Sequence, residues 1–401
     1  MNILFLTDIL PSGGNRTYIV SASQAFAAKG HAVSLLGFSQ GLSHDLPTQH
    51  FAQVRTIRVK SFRAPFLLTR LISLHRLLRQ FLAVTPADYI IVDLIDPAAS
   101  LLIVKLFLKV VLKDTQIIYQ FHGLPSMEMH YTQQDKESAA SLSKLLGVVK
   151  HRLRLVFDRW VLNSLPDRVV VFSEYSKKLL KTAGVTSSTI CIKPGIDAEL
   201  ADAGRGLSRA KAREIVGLNP TQRVILIASR LEARKGVLAF FRALADSKLR
   251  YQNCTFLVVS DFWNDPDTHA YYQVLAKQQL GTKVFSISRP SRFEMAVLYH
   301  AADVTIVPSL DLETFGFVSL ESMRFGTPVV AFAIGANPEM IPAGMLAKRA
   351  AYSQLQRKVD KVLTASPLER KKLHETIEKK MVEYDWKNYI THFMKHSIVI
   401  R

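Results

Sequence analysis

Residues 304–332 read VTIVPSLDLETFGFVSLESMRFGTPVVAF, and this stretch decides the fold class. The apolar run Val304–Val307 is too short for a helix and reads as a strand buried on both faces. Pro308 and Ser309 close it. From Phe317 to Phe325 apolar side chains return at helical spacing, Gly326 ends the helix, and Pro328–Phe332 forms a second apolar run. A strand, a helix and a strand in that order form a parallel crossover unit, and repetition of the unit gives an α/β fold.

The same rhythm extends outward in both directions. Upstream of it, strands are expected at Arg223–Ala228, Thr255–Val259 and Val284–Ile287, with helices over 236–245 and 268–279. An earlier series has strands at Asn2–Leu6, His31–Phe38, Tyr89–Val92, Ile117–Phe121 and Arg168–Phe172, with a helix at Arg16–Lys29 after the first. The two series meet in the Gly- and Pro-containing stretch 194–206. Two Rossmann-like α/β domains facing each other across a cleft are therefore expected. The length of 401 residues, 48% of them hydrophobic, gives each domain enough chain for its own core. Two cysteines, Cys191 and Cys254, cannot form a disulfide framework, which fits a reducing compartment. Asp8 falls too early for a secretory apolar region, and no window reaches the roughly 18 apolar residues of a membrane span. A cytoplasmic protein, soluble or peripheral on the inner face of the membrane, is expected.

Ligands of open α/β sheets bind beyond the carboxyl ends of the strands, so the loops there hold the candidate chemistry. Asp8–Asn15 follows the first strand, and its Gly13 and Gly14 let backbone approach an anion at a helix start. A plain connecting turn would use the same residues. Ser229–Gly236 follows the first strand of the second series. Arg230, Arg234 and Lys235 stand there against the helix dipole, a placement that suits a diphosphate, although a solvated basic loop has the same composition. In 308–321, Glu313 and Glu321 are eight residues apart. On a helix that spacing is about 12 Å, beyond the roughly 5–9.5 Å of paired glycosidase carboxylates. The two are thus expected to hold opposite ends of one elongated ligand, with the Thr314, Phe315, Gly316 and Phe317 amides between them. Read without a ligand, Glu313 is a helix-dipole acid and Glu321 a surface residue. His122 ends the strand 117–121, where it could meet a sugar or simply pack. Asp265 and Asp267 flank Pro266 before a helix and read as caps, so no metal is assigned to them.

Taken together, these residues resemble the family-4 retaining glycosyltransferases of GT-B fold, also called glycosyl transferases group 1. The likeness rests on Glu313-x7-Glu321 with its Phe315-Gly316, on Ser229-Arg230 through Lys235-Gly236, and on Ala302-Asp303 before Pro308-Ser309. His122-Gly123, Phe172–Ser176, Gly195-Ile196-Asp197 and Tyr384-Asp385-Trp386 support it, in family order, out to about residue 390. The resemblance implies an acceptor-binding domain over 1–198 and a nucleotide-sugar domain over 199–384, with a C-terminal helix, 385–401, crossing back to the first. It implies a UDP- or GDP-sugar donor, a glycan, lipid-linked or protein acceptor, no cofactor and no metal. Arg230 and Lys235 would hold the diphosphate, Glu321 the ribose and Glu313 the donor sugar. Gly13 and Gly14 would approach the phosphate, and His122 the sugar. Transfer would proceed with retention by same-face displacement, in polysaccharide or glycolipid assembly. A phosphorylase of the same fold and a non-catalytic partner subunit are the alternatives. Three departures bear on donor specificity: Lys193-Pro194-Gly195, Ser288-Arg289-Pro290, and a contracted 342–346 after Glu339.

Lys and Arg total 52 against 33 Asp and Glu, a net charge of +19, which favours an anionic partner. Residues 51–87 carry Arg55, Arg58, Lys60, Arg63, Arg70, Arg76 and Arg79 with no acid, whereas 251–350 has 7 basic and 9 acidic residues, a net of −2. The helical spacing of basic residues over 66–84 and the lysine-bearing apolar stretch 101–113 place an anionic membrane surface within 51–113; a helix face packed on its sheet is the alternative. No stacking aromatics interleave the charges, so nucleic acid is not the expected partner. A homo-oligomer is left open.

Overall fold

Short apolar strands pair in parallel in two separate sheets of a computed structural model. It describes residues 1–8, 14–39, 54–60, 82, 87–93, 115–123, 141–230, 232–244, 254–260, 283–287 and 290–397. Gly13, the helix expected over 268–279, Asp265 and Asp267, the basic helix over 66–84, the apolar stretch 101–113, and Ser288-Arg289 lie outside the described residues.

The first sheet is built from β1 (Asn2–Asp8), β2 (Ala32–Ser39), β3 (Val54–Lys60), β4 (Tyr89–Asp93), β5 (Gln116–Gln120), β6 (Arg168–Val171) and β7 (Thr189–Cys191), in the order β3-β2-β1-β4-β5-β6-β7. The second uses β8 (Arg223–Ala228), β9 (Cys254–Val259), β10 (Lys283–Ile287), β11 (Val304–Val307), β12 (Val329–Phe332) and β13 (Leu346–Ala347), in the order β10-β9-β8-β11-β12-β13. Every pairing among them is parallel. The central strands are apolar from end to end because helices cover both faces; every residue of β9 is buried.

Among the described residues the helices are α1 (Gly14–Ala28), α2 (Ser141–Ser164), α3 (Glu174–Thr182), α4 (Ala198–Ala203), α5 (Arg209–Ile215), α6 (Val237–Leu244), α7 (Arg292–Ala301), α8 (Phe317–Arg324), α9 (Asn337–Met340), α10 (Tyr352–Leu363), α11 (Pro367–Met381) and α12 (Trp386–Ser397). Ser291 and Ser366 open α7 and α11 with capping boxes, each completed by the glutamate three residues on. None of the described helices is long and apolar enough to cross a membrane.

Contacts divide the chain into Met1–Gly195 with Trp386–Arg401, and Ile196–Asp385. In the first unit, α12 lies on α1: the Tyr18 and Tyr389 hydroxyls are 2.6 Å apart, and both reach Gln120 Oε1 on β5. In the second, Asp303 is a hub. Its carboxylate accepts from Arg209, Arg213 and the Val224 amide, which ties α5 to the start of β8.

Arg55, Arg58 and Lys60 of the basic stretch belong to β3, at one end of the first sheet's strand order. One expected boundary is corrected. The helix expected from Gly236 starts at Val237, behind a 3-10 turn at Ala233–Lys235.

Candidate active site

Strand order in the second sheet reverses between β8 and β11. From this pair the chain winds outward to β9 and β10 on one side and to β12 and β13 on the other. In an open parallel sheet the space beyond the carboxyl ends of such a pair is the natural ligand crevice. Two loops leave there, 229–236 from β8 and 308–316 from β11.

Main-chain bonds join these loops. The Leu310 amide donates to the Arg234 carbonyl at 2.7 Å. Gly236 adopts φ +67°, and a Cβ there would stand 2.2 Å from the Pro308 carbonyl oxygen, so both conformation and contact demand glycine. Leu312 takes φ +47°, unusual for a residue with a side chain. Its amide donates to Asp311 Oδ1, and its carbonyl accepts from Arg234 Nη1. Such strain persists only where the surroundings enforce it.

The enforced loop presents Glu313, which precedes α8. Lys235 Nζ lies 2.8 Å from Glu313 Oε2, and the Ser309 hydroxyl donates to the same oxygen at 2.8 Å. On the main-chain side, the Ala336 amide donates to the Glu313 carbonyl at 2.8 Å. Gly335, at φ +54°, lets its own backbone come so close that a Cβ would be 2.2 Å from that carbonyl oxygen. Burial opposes ionisation of Glu313, but the Lys235 charge and hydrogen bond, Ser309 and Arg234 outweigh it. The carboxyl is held below its usual range.

Glu321, on α8, has the opposite electrostatics. Burial pushes its carboxyl up to about 7, although the Tyr299 hydroxyl donates to Oε2 at 2.7 Å and Arg292 adds positive charge. Arg292 is committed to Asp197 at 2.8 Å. The two carboxylates thus have opposite electrostatic surroundings. Both are buried, so the surface reading of Glu321 fails. The picture of both on one helix is also corrected, since only Glu321 is helical.

The three basic residues of the 229–236 loop divide by role. Arg234 is buried, bonded through Nε to Glu232 Oε2 at 2.8 Å, and braces the loop. Arg230 Nη1 meets Glu232 Oε1 at 2.6 Å, but over half of its side chain is exposed. Exposed pairs of this kind contribute little, so an arriving anion can replace the partner. Lys235 retains two further N–H donors beyond the one given to Glu313.

Around Gly316 the chain turns into α8 at φ +94°, with no side chain capping the helix start. Thr314 and Phe315 lie in the loop before it. The Phe315 ring is buried against Phe317 and Tyr384, so its side chain is core. In the other unit, Gly14 is the first residue of α1. The His122 ring lies edge-on to Tyr18 and Phe172, with centroids 5.4 and 5.2 Å away.

Residues 208–380 match the profile of glycosyl transferases group 1, and residues 12–200 match that of glycosyltransferase family 4. The chain belongs to the family-4 glycosyltransferases. The curated D-inositol 3-phosphate glycosyltransferase of Corynebacterium aurimucosum is 33% identical over 240 residues, 58% of this chain and 53% of that protein. The match thus spans about half the length of that relative. Two solved structures share the fold over 98% of the chain. Sucrose-phosphate synthase from Thermosynechococcus elongatus has a TM-score of 0.73 at 20% identity, with 97% of its own chain covered. HepE of Anabaena, solved with UDP-glucose, has a TM-score of 0.72 at 18% identity, with 98% of its chain covered. Both likenesses show the GT-B fold.

In this family-4 chain, sequence reading missed Ser309 and Tyr299 as partners of the two glutamates, and the Asp197–Arg292 pair behind Glu321. Ser309 had a signal: it is four residues before Glu313, at a strand end. Tyr299 had none, since its bond to Glu321 depends on how α7 packs beside α8.

Proposed function

We propose that the chain moves a hexose from a nucleoside-diphosphate sugar to a glycan, lipid-linked or protein acceptor, with retention of configuration. The observation that carries this reading is the Glu313 carboxylate, pinned by Lys235 and Ser309 beside the replaceable Arg230–Glu232 pair, at the point where sheet order reverses. In the reaction the bond between the sugar's anomeric carbon and the diphosphate oxygen breaks, leaving an oxocarbenium-like sugar. Negative charge grows on the departing oxygen. Lys235 and Arg230 stabilise it from fixed positions, the arrangement that most effectively lowers such barriers. The acceptor oxygen attacks on the face just vacated, and its proton passes to the departing phosphate. Glu313 accepts hydrogen bonds from sugar hydroxyls through its remaining lone pairs, aided by the Gly316 and Phe317 amides. Glu321 accepts from the ribose. Gly14 and His122 are assigned to phosphate and sugar on family likeness.

UDP-glucose is the first donor to try, because HepE was solved with it. Calorimetric titration with UDP, GDP, ADP, TDP and inorganic phosphate tests the reading. Micromolar binding of one nucleoside diphosphate is expected, weakened about ten- to hundredfold in Arg230→Ala, the weight of one charge-assisted contact. Binding of phosphate alone would favour a phosphorylase, and binding of none a partner subunit.

A further inference from the structure

Helix α2 is a crossover helix between β5 and β6, and one face of it is buried as such a helix requires: Val161 and Leu162 are in the core. The opposite face should be polar. Instead Val149, Leu153, Val156, Phe157 and Trp160 form a continuous stripe along it. Leu153 is 67% exposed and Trp160 49%, and the Phe157 and Trp160 rings stack at 6.0 Å. Isolated exposed apolar residues need no explanation, whereas a stripe of five in register does.

Charge decides what covers this face. The helix has a single acid, Asp158, which is fully buried and bonded to Arg154 at 2.9 Å. Arg152 and Arg159 flank the stripe, exposed and without an ionic partner among the described residues. The Arg159 stem packs at Gly184, whose amide donates to the carbonyl of exposed Lys181 at the end of α3. The face thus offers apolar bulk, an indole and positive charge, with no negative charge on the helix to oppose an anionic partner. A second copy would bring the same positive charge to the contact.

We propose that the exposed face of α2 docks on an anionic lipid surface, with Leu153, Phe157 and Trp160 entering the headgroup boundary and Arg152 and Arg159 meeting lipid phosphates. This helix is a different stretch of sequence from 51–113, and the proposal stands whether or not the donor reading does.

Co-sedimentation of the full chain with vesicles tests it. The chain should pellet with equimolar phosphatidylglycerol and phosphatidylcholine, and far less with phosphatidylcholine alone. Leu153→Asp with Val156→Asp should weaken pelleting at least about tenfold, the equivalent of losing one buried leucine. Both positions are exposed, so the fold should survive, as an unchanged thermal unfolding transition would show. Trp160→Phe should still pellet but lose the quenching of tryptophan fluorescence by bromo-acyl lipid. Undiminished pelleting of the double aspartate variant would overturn the proposal. So would absence of vesicle binding together with self-association, in sedimentation velocity, that Leu153→Asp abolishes; that result would assign the face to a second copy.

Discussion

Glu313 and Lys235 form a pair that is both structural and, in the proposed reaction, functional, and substitution can separate the two. Removing one partner leaves a buried charge unanswered, so Lys235→Met alone should cost about 3–5 kcal/mol in chemical denaturation. Adding Glu313→Gln should recover most of that stability while transferase activity stays lost. If the double variant regained activity together with stability, the pair would be structural only. Glu321 allows a test by pH. Its carboxyl ordinarily titrates near 4.5 and is raised to about 7 in the fold. A raised value means that the folded chain keeps a proton the unfolded chain has released. Its contribution to stability is then full below about 4.5 and is lost as pH rises to about 7. Donor affinity should move the other way, rising through about pH 7 as the carboxylate becomes the anionic acceptor that ribose hydroxyls need. Glu321→Gln should flatten both profiles, and a profile unchanged by it would assign the titration elsewhere. The spacing of these residues was legible in the sequence because Lys235 and Glu313 sit in a turn and a loop with glycine and proline punctuation, and Glu321 follows in the helix that the second loop opens. Their partners were not, because Lys235 and Glu313 are 78 positions apart and only the sheet brings them together.

At the scale of elements, the central strands were legible to within a residue or two because burial on both faces leaves an uninterrupted apolar run. The edges were harder to read. β3 carries Arg55, Arg58 and Lys60, the kind of charge that edge strands use against aberrant pairing, and so it read as part of a basic surface. β7 and β13 have three and two residues, too few for any periodicity. The 3-10 turn at Ala233–Lys235 was hidden for a different reason. Its geometry follows from the approach of Gly236 to the Pro308 carbonyl, which no local pattern encodes. That approach predicts that Gly236→Ala should cost about 1–3 kcal/mol, the scale of enforced backbone strain. It should also weaken nucleoside-diphosphate binding, because the turn that carries Lys235 must shift. Thermal unfolding and calorimetry on the same variant would check both, and a variant that bound UDP as tightly as the parent would break the link between turn and site.

For the whole molecule, the alternation of strands and helices announced two sheets, but the place where the chain rejoins its first unit depends on packing. Tyr389 and Phe393 of α12 reach the core beside Tyr18, Phe26 and Tyr89, partners at least three quarters of the chain length away. Nothing in the spacing of α12 specifies such a partner; the buried Tyr18, Tyr389 and Gln120 bonds do. If the two units unfold as the contacts divide them, they should respond to different perturbations. Phe393→Ala empties part of the first unit's core and should destabilise that unit by about 3–5 kcal/mol. UDP, held by residues of 196–385 in the proposed reaction, should instead raise the transition of the second unit, by an amount that grows with its concentration. Scanning calorimetry should therefore resolve two transitions, one lowered by the substitution and the other raised by the nucleotide. If both treatments moved the same transition, the donor would not be held mainly by the second unit, and the assignment of Arg230, Lys235, Glu313 and Glu321 as its main binding residues would have to give way.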